Sequence, residues 1–193
     1  MGFKSYYESS FKFAVESLFY ESGKAIASLG IKPNHLTFLQ LPFSLLMFYY
    51  LLTFNLSMGM LCAFFVLFFD SWDGVVARAS NQESRWGHLF DKGADIFNII
   101  LILSAISVYS PQVRFLALSL IVINVLIFIT NEIKEPFVYT AARGAGLAGL
   151  MFLSAVGSFG PMIFFLTISL LLGSTLLLWK VWFILRNLGS PKV

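Results

Sequence analysis

Long apolar stretches separated by short polar segments make up most of the chain after residue 32. Six such stretches cover about residues 36–56, 58–79, 87–108, 113–130, 144–157 and 162–184. A membrane-spanning helix needs about 20 predominantly apolar residues, with a range of roughly 17–25. The pattern therefore predicts an all-α membrane protein with six transmembrane helices.

The fifth stretch is short for a span. It is rich in small residues at four-residue spacing, namely Ala141, Ala142, Ala145, Gly146 and Gly149. Small residues at this spacing allow helices to approach each other closely within a membrane. A short helix buried among the others is therefore a second interpretation of this segment.

Residues 1–32 follow a different pattern. Apolar positions recur at helical spacing, while Lys4, Glu8, Lys12 and Glu16 step by four residues along another face. This predicts an amphipathic juxtamembrane helix over 1–32, followed by a six-helix transmembrane domain over 33–193. Two interpretations of the helix are equally supported: it lies along the membrane surface, or it packs on the rest of the protein.

Composition supports the membrane assignment. Of the 193 residues, 58% are hydrophobic and 12% are charged, and the mean hydropathy is +0.82. A soluble domain has roughly 45–50% apolar and about 25% charged residues, so a soluble globular enzyme is excluded. The net charge of +3 comes without a Lys/Arg run typical of nucleic-acid binding. Cys62, the only cysteine, lies in an apolar run and is expected to pack as a small hydrophobic residue.

The basic residues give the orientation. With six spans, all of the 13 lysines and arginines except Arg114 fall on one side of the membrane. Loops that stay in the cytoplasm carry an excess of Lys and Arg. We therefore expect a multi-pass protein of the cell membrane with both termini in the cytoplasm.

Four carboxylates lie within the apparent spans, all at the cytoplasmic end. Asp70 and Asp73 are three residues apart in the second stretch, and Asp91 and Asp95 are four apart in the third. Each would cost several kcal/mol facing lipid, so each is expected to face the protein interior or a wet cavity. A short link joins the two stretches, which allows the four acids to converge.

Four converging carboxylates need cations to stay ionised. Oxygen ligands suit Mg²⁺ or Mn²⁺ better than zinc, so these acids are candidate metal ligands. The alternative is a proton or cation pathway, but such pathways place their acids near the bilayer midplane. The acids of this chain lie at one end, which places the candidate active site on the cytoplasmic side.

Small residues and one arginine lie between the acids. Gly74 and Ala77 leave space beside the backbone of the second helix, and Arg78 offers a planar cation suited to phosphate oxygens. Gly87 lies one turn before Asp91 and is expected to open the same face of the third helix. Helix packing alone would explain the small residues, but their combination with the acids favours phosphoryl chemistry.

Together these residues form the pattern D-x2-D-G-x2-A-R-x8-G-x3-D-x3-D. It comprises Asp70, Asp73, Gly74, Ala77, Arg78, Gly87, Asp91 and Asp95. The pattern resembles the signature of the CDP-alcohol phosphotransferases, membrane enzymes that make phospholipid head groups, and every fixed position and spacer is matched. The six spans and the amphipathic amino-terminal helix are also similar to that family's architecture.

The resemblance implies that a phosphatidyl-type or archaetidyl-type group passes from a CDP-linked lipid to an acceptor hydroxyl, with release of CMP. It implies that Asp70, Asp73 and Asp91 hold one or two divalent metals, and that Asp95, itself among the candidate ligands, is the base. The CDP site would be formed by Asp70, Gly74, Ala77, Arg78 and Gly87, and homodimerisation is expected.

The segment from Pro33 to Thr37 resembles the PN-x-x-T element of the family's first helix, which makes Asn34 and Thr37 candidate nucleotide contacts. An equally supported interpretation is a simple helix start, with the Thr37 hydroxyl bonded to its own helix.

The acceptor is less constrained. Lys134 and Arg143 could bind an acceptor phosphate, although local ion pairing and the positive-inside bias also explain them. The Gly30 to Asn34 entry resembles the members of the family that use inositol phosphate, so inositol 1-phosphate is the preferred acceptor. The alternatives are glycerol 3-phosphate or serine in the same family, a catalytically silent relative, or a cation-dependent transporter.

Overall fold

The computed structural model describes residues 19–82, 85–133 and 142–188, and every regular element in these ranges is α-helical. Helix α1 covers residues 19–28. It is followed by α2 (Pro33–Leu52), α3 (Leu56–Ala79), α4 (Arg85–Ile106), α5 (Pro111–Ile133), α6 (Ala142–Val156) and α7 (Gly160–Leu188). The helices begin and end within a few residues of the predicted apolar stretches.

Four helices in the described ranges are long and apolar enough to cross a membrane: Pro33–Leu52, Leu56–Ala79, Pro111–Asn131 and Gly160–Arg186. Large hydrophobic side chains are exposed along them, as expected of surfaces that face lipid. The chain is therefore an integral membrane protein.

The predicted count of six spans is not confirmed, for two different reasons. Helix α4 has 22 residues, but Asp91, Lys92 and Asp95 interrupt the apolar character of its first half. Helix α6 has only 15 residues, which is short for a span and agrees with the alternative interpretation of a short helix.

The chain divides into two compact units. The first comprises residues 1–43 and 64–94, and the second comprises residues 44–63 and 95–193. Helices α2, α3 and α4 each continue across this division.

In the first unit, α1 approaches α3 very closely. A side-chain carbon on Gly23 would lie 2.9 Å from both the Ala79 Cβ and the Val75 Cγ1 atoms, so only glycine fits there. The rings of Phe19 and Trp72 are also in contact, with their centroids 5.9 Å apart. Helix α1 thus packs on α3. The predicted stripe of Lys4, Glu8, Lys12 and Glu16 belongs to residues 1–18, which lie outside the described ranges.

The second unit contains an apolar core. It includes Met47 and Leu51 of α2, Cys62 of α3, and residues from α4 to α7, of which Ile102, Leu120 and Leu166 are almost completely buried. Cys62 is free and packs in this core, as the sequence predicted. Lys180, counted above with the cytoplasmic basic residues, is fully buried on α7.

Tyr109 closes the end of this core that is reached by the turn between α4 and α5. Its hydroxyl donates a hydrogen bond of 2.9 Å to the Leu51 carbonyl oxygen, and its ring contacts that of Phe54. Burial raises the pKa of Tyr109 to about 12, so the phenol stays protonated and remains a donor.

We expect Gly149→Ala to destabilise the second unit. A Cβ atom at Gly149 would lie 2.7 Å from the Met162 Cγ atom and 3.0 Å from its Cα atom, and the backbone cannot move aside cheaply. Overpacking of this kind costs about 1–3 kcal/mol. Thermal unfolding of the purified protein in detergent should show a lower midpoint. Gly93→Ala is the matched control, because a Cβ there meets nothing within 4 Å, and a fall in both variants would contradict the packing argument.

Candidate active site

The last three turns of α3 carry five of the eight motif residues, and a residue in the left-handed conformation ends the helix directly after them. Asn81 has a φ of 52°, the Gln82 amide donates to the Ala77 carbonyl at 3.0 Å, and the Asn81 amide donates to the Arg78 carbonyl at 3.4 Å. This is a Schellman motif with asparagine in place of the usual glycine. Asparagine tolerates the left-handed conformation better than most residues. The chain therefore turns away immediately after the motif arginine.

Three of the four motif acids converge. One carboxylate oxygen each from Asp70, Asp91 and Asp95 lies within 4.8 Å of the others, and all three residues are partly buried. Asp91 and Asp95 are one turn apart on the continuous helix α4, so both side chains lie on the same helix face.

Asp73 has a different environment. The residue is 5% exposed, and its Oδ2 atom accepts a hydrogen bond of 2.6 Å from the Thr37 hydroxyl. It is not one of the three converging acids, although the sequence made it an equal candidate ligand.

The same contact bears on the two interpretations of Thr37. Its hydroxyl oxygen is 3.5 Å from the Pro33 carbonyl oxygen and 2.6 Å from Asp73. A hydroxyl has only one proton to donate, and a charged acceptor at the shorter distance forms the stronger bond. Thr37 therefore bonds mainly to a motif acid instead of its own helix.

Gln40 is a site residue that the sequence analysis missed. It is fully buried on α2, and its side-chain amide Nε2 donates to the Asp70 Oδ1 atom at 3.4 Å. The available signal was its spacing: Thr37, Gln40 and Ser44 are polar residues at helical intervals in a part of the helix, residues 37–48, that is otherwise apolar.

Arg78 folds back over Gly74, one turn earlier on α3. Its guanidinium Nη1 atom lies 3.3 Å from the point where a Cβ atom of Gly74 would be. The missing side chain thus gives the guanidinium a place against α3 at the residue that follows Asp73. Ala77 and Gly87 are partly buried, and Asn34 is exposed in the first turn of α2.

The structure does not describe the side chains of the two candidate acceptor residues. Lys134 lies outside the described residues. Arg143 is the second residue of α6, but its side chain also lies outside the described part of the chain.

The three converging acids fit a divalent ion. Mg²⁺ binds oxygen at about 2.0–2.1 Å, so two oxygens on one ion lie about 3–4 Å apart. The observed limit of 4.8 Å is close to that spacing, and small side-chain rotations would close the difference. A set of oxygen ligands without cysteine or histidine matches the preference of hard cations.

Comparison with known proteins identifies the family. The sequence model of the CDP-alcohol phosphatidyltransferase family matches residues 31–188. The fold is similar to that of phosphatidylinositol phosphate synthase from Mycobacterium tuberculosis with CDP-DAG bound, with a TM-score of 0.68 and 15% identity, over 86% of this chain and 94% of that one. The apo form of that synthase gives a TM-score of 0.67 and 16% identity, over 84% and 95%. A comparison with curated proteins found no match.

The helices and the acid cluster define an integral membrane protein with a candidate site for a divalent cation. The match over residues 31–188 places the chain in the CDP-alcohol phosphatidyltransferase family. It is accordingly an enzyme of phospholipid biosynthesis, a transferase of substituted phosphate groups.

Proposed function

We propose that the protein transfers a phosphatidyl-type group from a CDP-linked lipid to the hydroxyl of a small polar acceptor. The observation that carries the proposal is the convergence of Asp70, Asp91 and Asp95 within a fully matched family motif. A cluster of acids in a motif that also carries an arginine suits a site that binds a diphosphate with a divalent cation.

The reaction breaks and forms one phosphorus–oxygen bond. The acceptor oxygen attacks the phosphorus that carries the lipid alcohol, the bond from that phosphorus to CMP breaks, and CMP leaves with the bonding electrons. Asp95 takes the acceptor proton as the general base. A divalent ion held by the motif acids, Mg²⁺ or Mn²⁺, would supply positive charge that neutralises the diphosphate and stabilises the leaving CMP.

The remaining motif residues bind the donor. Asp70, Asp73 and Asp91 serve as the metal ligands, of which two belong to the converging group. Arg78 binds phosphate oxygens from its position over Gly74. Ala77, Gly87, Asn34 and Thr37 border the nucleotide. A CDP-linked lipid donor is supported by the similar fold of the synthase with CDP-DAG bound.

The preferred acceptor is inositol 1-phosphate. Two observations support it: the Gly30 to Asn34 segment, and the fold shared with a phosphatidylinositol phosphate synthase. Glycerol 3-phosphate and serine are the competing acceptors. The active site and both termini are assigned to the cytoplasmic side by the distribution of basic residues, and the protein is proposed to act as a homodimer.

The experiment that tests the function is CMP release by the purified protein. CDP-diacylglycerol, a CDP-linked isoprenoid lipid and a control without lipid are each incubated with Mn²⁺ and inositol 1-phosphate, glycerol 3-phosphate or serine. The proposal requires CMP release that depends on donor, metal and one acceptor. Absence of release in every combination would favour a transporter or a catalytically silent relative.

For the acceptor site, we expect Lys134→Ala or Arg143→Ala to raise the KM for a phosphorylated acceptor while the KM for the CDP-lipid stays nearly constant. A cationic contact used equally in the ground and transition states behaves in this way. Lys192→Ala is the matched control, since it removes a basic residue near the carboxyl terminus. Equal losses for donor and acceptor, or no loss, would leave these residues with a topological role only.

A further inference from the structure

Helix α2 carries three buried polar side chains on one face. Thr37 is 2% exposed, and Gln40 and Ser44 are 0% exposed. Intervals of three and four residues place them on one line along the helix. Burying amides and hydroxyls in a membrane helix is unfavourable unless each finds a hydrogen-bond partner.

Each of these side chains donates a hydrogen bond to a polar side chain of another helix. Within the first unit, Thr37 donates to Asp73 at 2.6 Å, and the Gln40 amide donates to Asp70 at 3.4 Å. Within the second unit, the Ser44 hydroxyl donates to the Asn98 side-chain carbonyl. The two contacts nearer the start of α2 thus end on motif acids, whereas the third does not.

The donor and the acceptor of the contact between Gln40 and Asp70 are fixed by their chemistry. An ionised carboxylate only accepts hydrogen bonds, so the glutamine amide must present its NH₂ group to Asp70. A hydrogen bond to one oxygen of a carboxylate limits rotation of the group. The orientation in which its other oxygen can bind an ion is then fixed as well. Hydrogen-bond partners of this kind orient metal ligands and tune their affinity for the ion.

We propose that Gln40 is a positioning residue that orients Asp70 for the divalent cation, and that Thr37 does the same for Asp73. Gln40 needs no contact with the substrate for this role, and the role of Thr37 on Asp73 is additional to its place beside the nucleotide. This assigns α2 a second role besides crossing the membrane: its buried donor face pre-orients carboxylates that α3 supplies. The inference deepens the proposed function and rests on it for the identity of the ion.

The test is Mn²⁺ binding by the purified full-length protein without substrate, measured by electron paramagnetic resonance of the free ion. Gln40→Met keeps the length of the side chain and removes the donor. We expect it to weaken Mn²⁺ binding by about 10–100-fold. The Mn²⁺ concentration that half-activates CMP release should rise by a similar factor, while turnover at saturating Mn²⁺ recovers most of its original value.

Ser44→Ala is the matched control. It removes a hydroxyl from the same face of α2, with the same burial, but its partner Asn98 is not an acid. Mn²⁺ binding by this variant should stay within about twofold of the original, because the hydroxyl that is removed donates to the Asn98 amide oxygen and not to a motif acid. Unchanged Mn²⁺ binding by Gln40→Met, or equal weakening in both variants, would overturn the proposal.

Thr37 provides a second, independent pair of variants if Gln40→Met does not yield folded protein. Thr37→Ser keeps the hydroxyl, and Thr37→Val keeps the shape but removes the donor. The proposal requires weaker Mn²⁺ binding for Val alone. A rise in the KM for the CDP-lipid with unchanged Mn²⁺ binding would leave Thr37 only its place beside the nucleotide and overturn its positioning role.

These outcomes also separate the inference from the proposed function. If the wild-type protein releases no CMP but binds Mn²⁺ more tightly than the Gln40→Met variant does, the proposed function is refuted and the inference is supported. If CMP release depends on the metal but is unchanged by Gln40→Met at every Mn²⁺ concentration, the proposed function is supported and the inference is refuted.

Discussion

Asp91→Asn is expected to abolish metal-dependent CMP release. The substitution keeps the size of the side chain but removes a negative charge from a group whose oxygens lie within 4.8 Å of one another. Loss of a residue that only supports a ligand costs about 10–100-fold in metal affinity or activity, so loss of a ligand itself should exceed about a hundredfold. CMP release at fixed Mn²⁺ concentration, together with Mn²⁺ binding, measures the effect.

Glu21→Gln is the control for this change. Glu21 is also a carboxylate, but it forms an exposed ion pair of 3.4 Å with Lys24 on α1, and such pairs contribute little to stability. Near-normal turnover by Asp91→Asn at unchanged metal concentration would remove Asp91 from the ligand set. Loss of activity in both variants would point to a general effect of charge at the membrane surface.

Asp70→Asn and Asp73→Asn are expected to behave like Asp91→Asn, but the structure gives them different weight. Asp70 belongs to the converging group, whereas Asp73 is buried against the Thr37 hydroxyl. Asp73→Asn therefore removes a charged acceptor as well as a candidate ligand. Comparing Mn²⁺ binding by the two variants would separate a direct ligand from a buried carboxylate that supports the site.

The pattern of apolar residues was sufficient to predict the helices. It also predicted that the motif acids lie at the end of α3 and at the start of α4. Apolar runs of spanning length have few alternatives in a membrane, because backbone groups must be satisfied within the segment. The spacing of Asp91 and Asp95 likewise requires a shared helix face. What periodicity could not give was the number of spans, because the charges of α4 and the 15 residues of α6 fall near the limits of the criterion.

The partners of the acids were also beyond the sequence. Thr37 and Gln40 are 36 and 30 residues away from the acids that they contact. Which face of α2 meets α3 depends on tertiary packing, and an apolar helix with scattered polar residues allows more than one choice. The buried polar residues were visible in the sequence, but only the packed structure assigns each of them an acceptor.

Asp95 presents a choice between two roles, base and ligand. The family resemblance implies a general base, whereas the geometry places its carboxylate with those of Asp70 and Asp91. A base must reach the acceptor proton, and a ligand must reach the ion; one turn of helix beyond Asp91 is compatible with either position. The proposed reaction requires the first role.

We therefore expect Asp95→Asn to lower turnover by at least about a hundredfold, the lower end of the usual contribution of general base catalysis. Mn²⁺ binding and CDP-lipid binding should persist within a fewfold, because Asp70 and Asp91 still supply two converging carboxylates. Turnover is measured as CMP release, and donor binding is measured on the inactive variant with Mn²⁺ present. If binding of the ion disappears together with turnover, Asp95 is a ligand, and another group must accept the proton of the attacking hydroxyl.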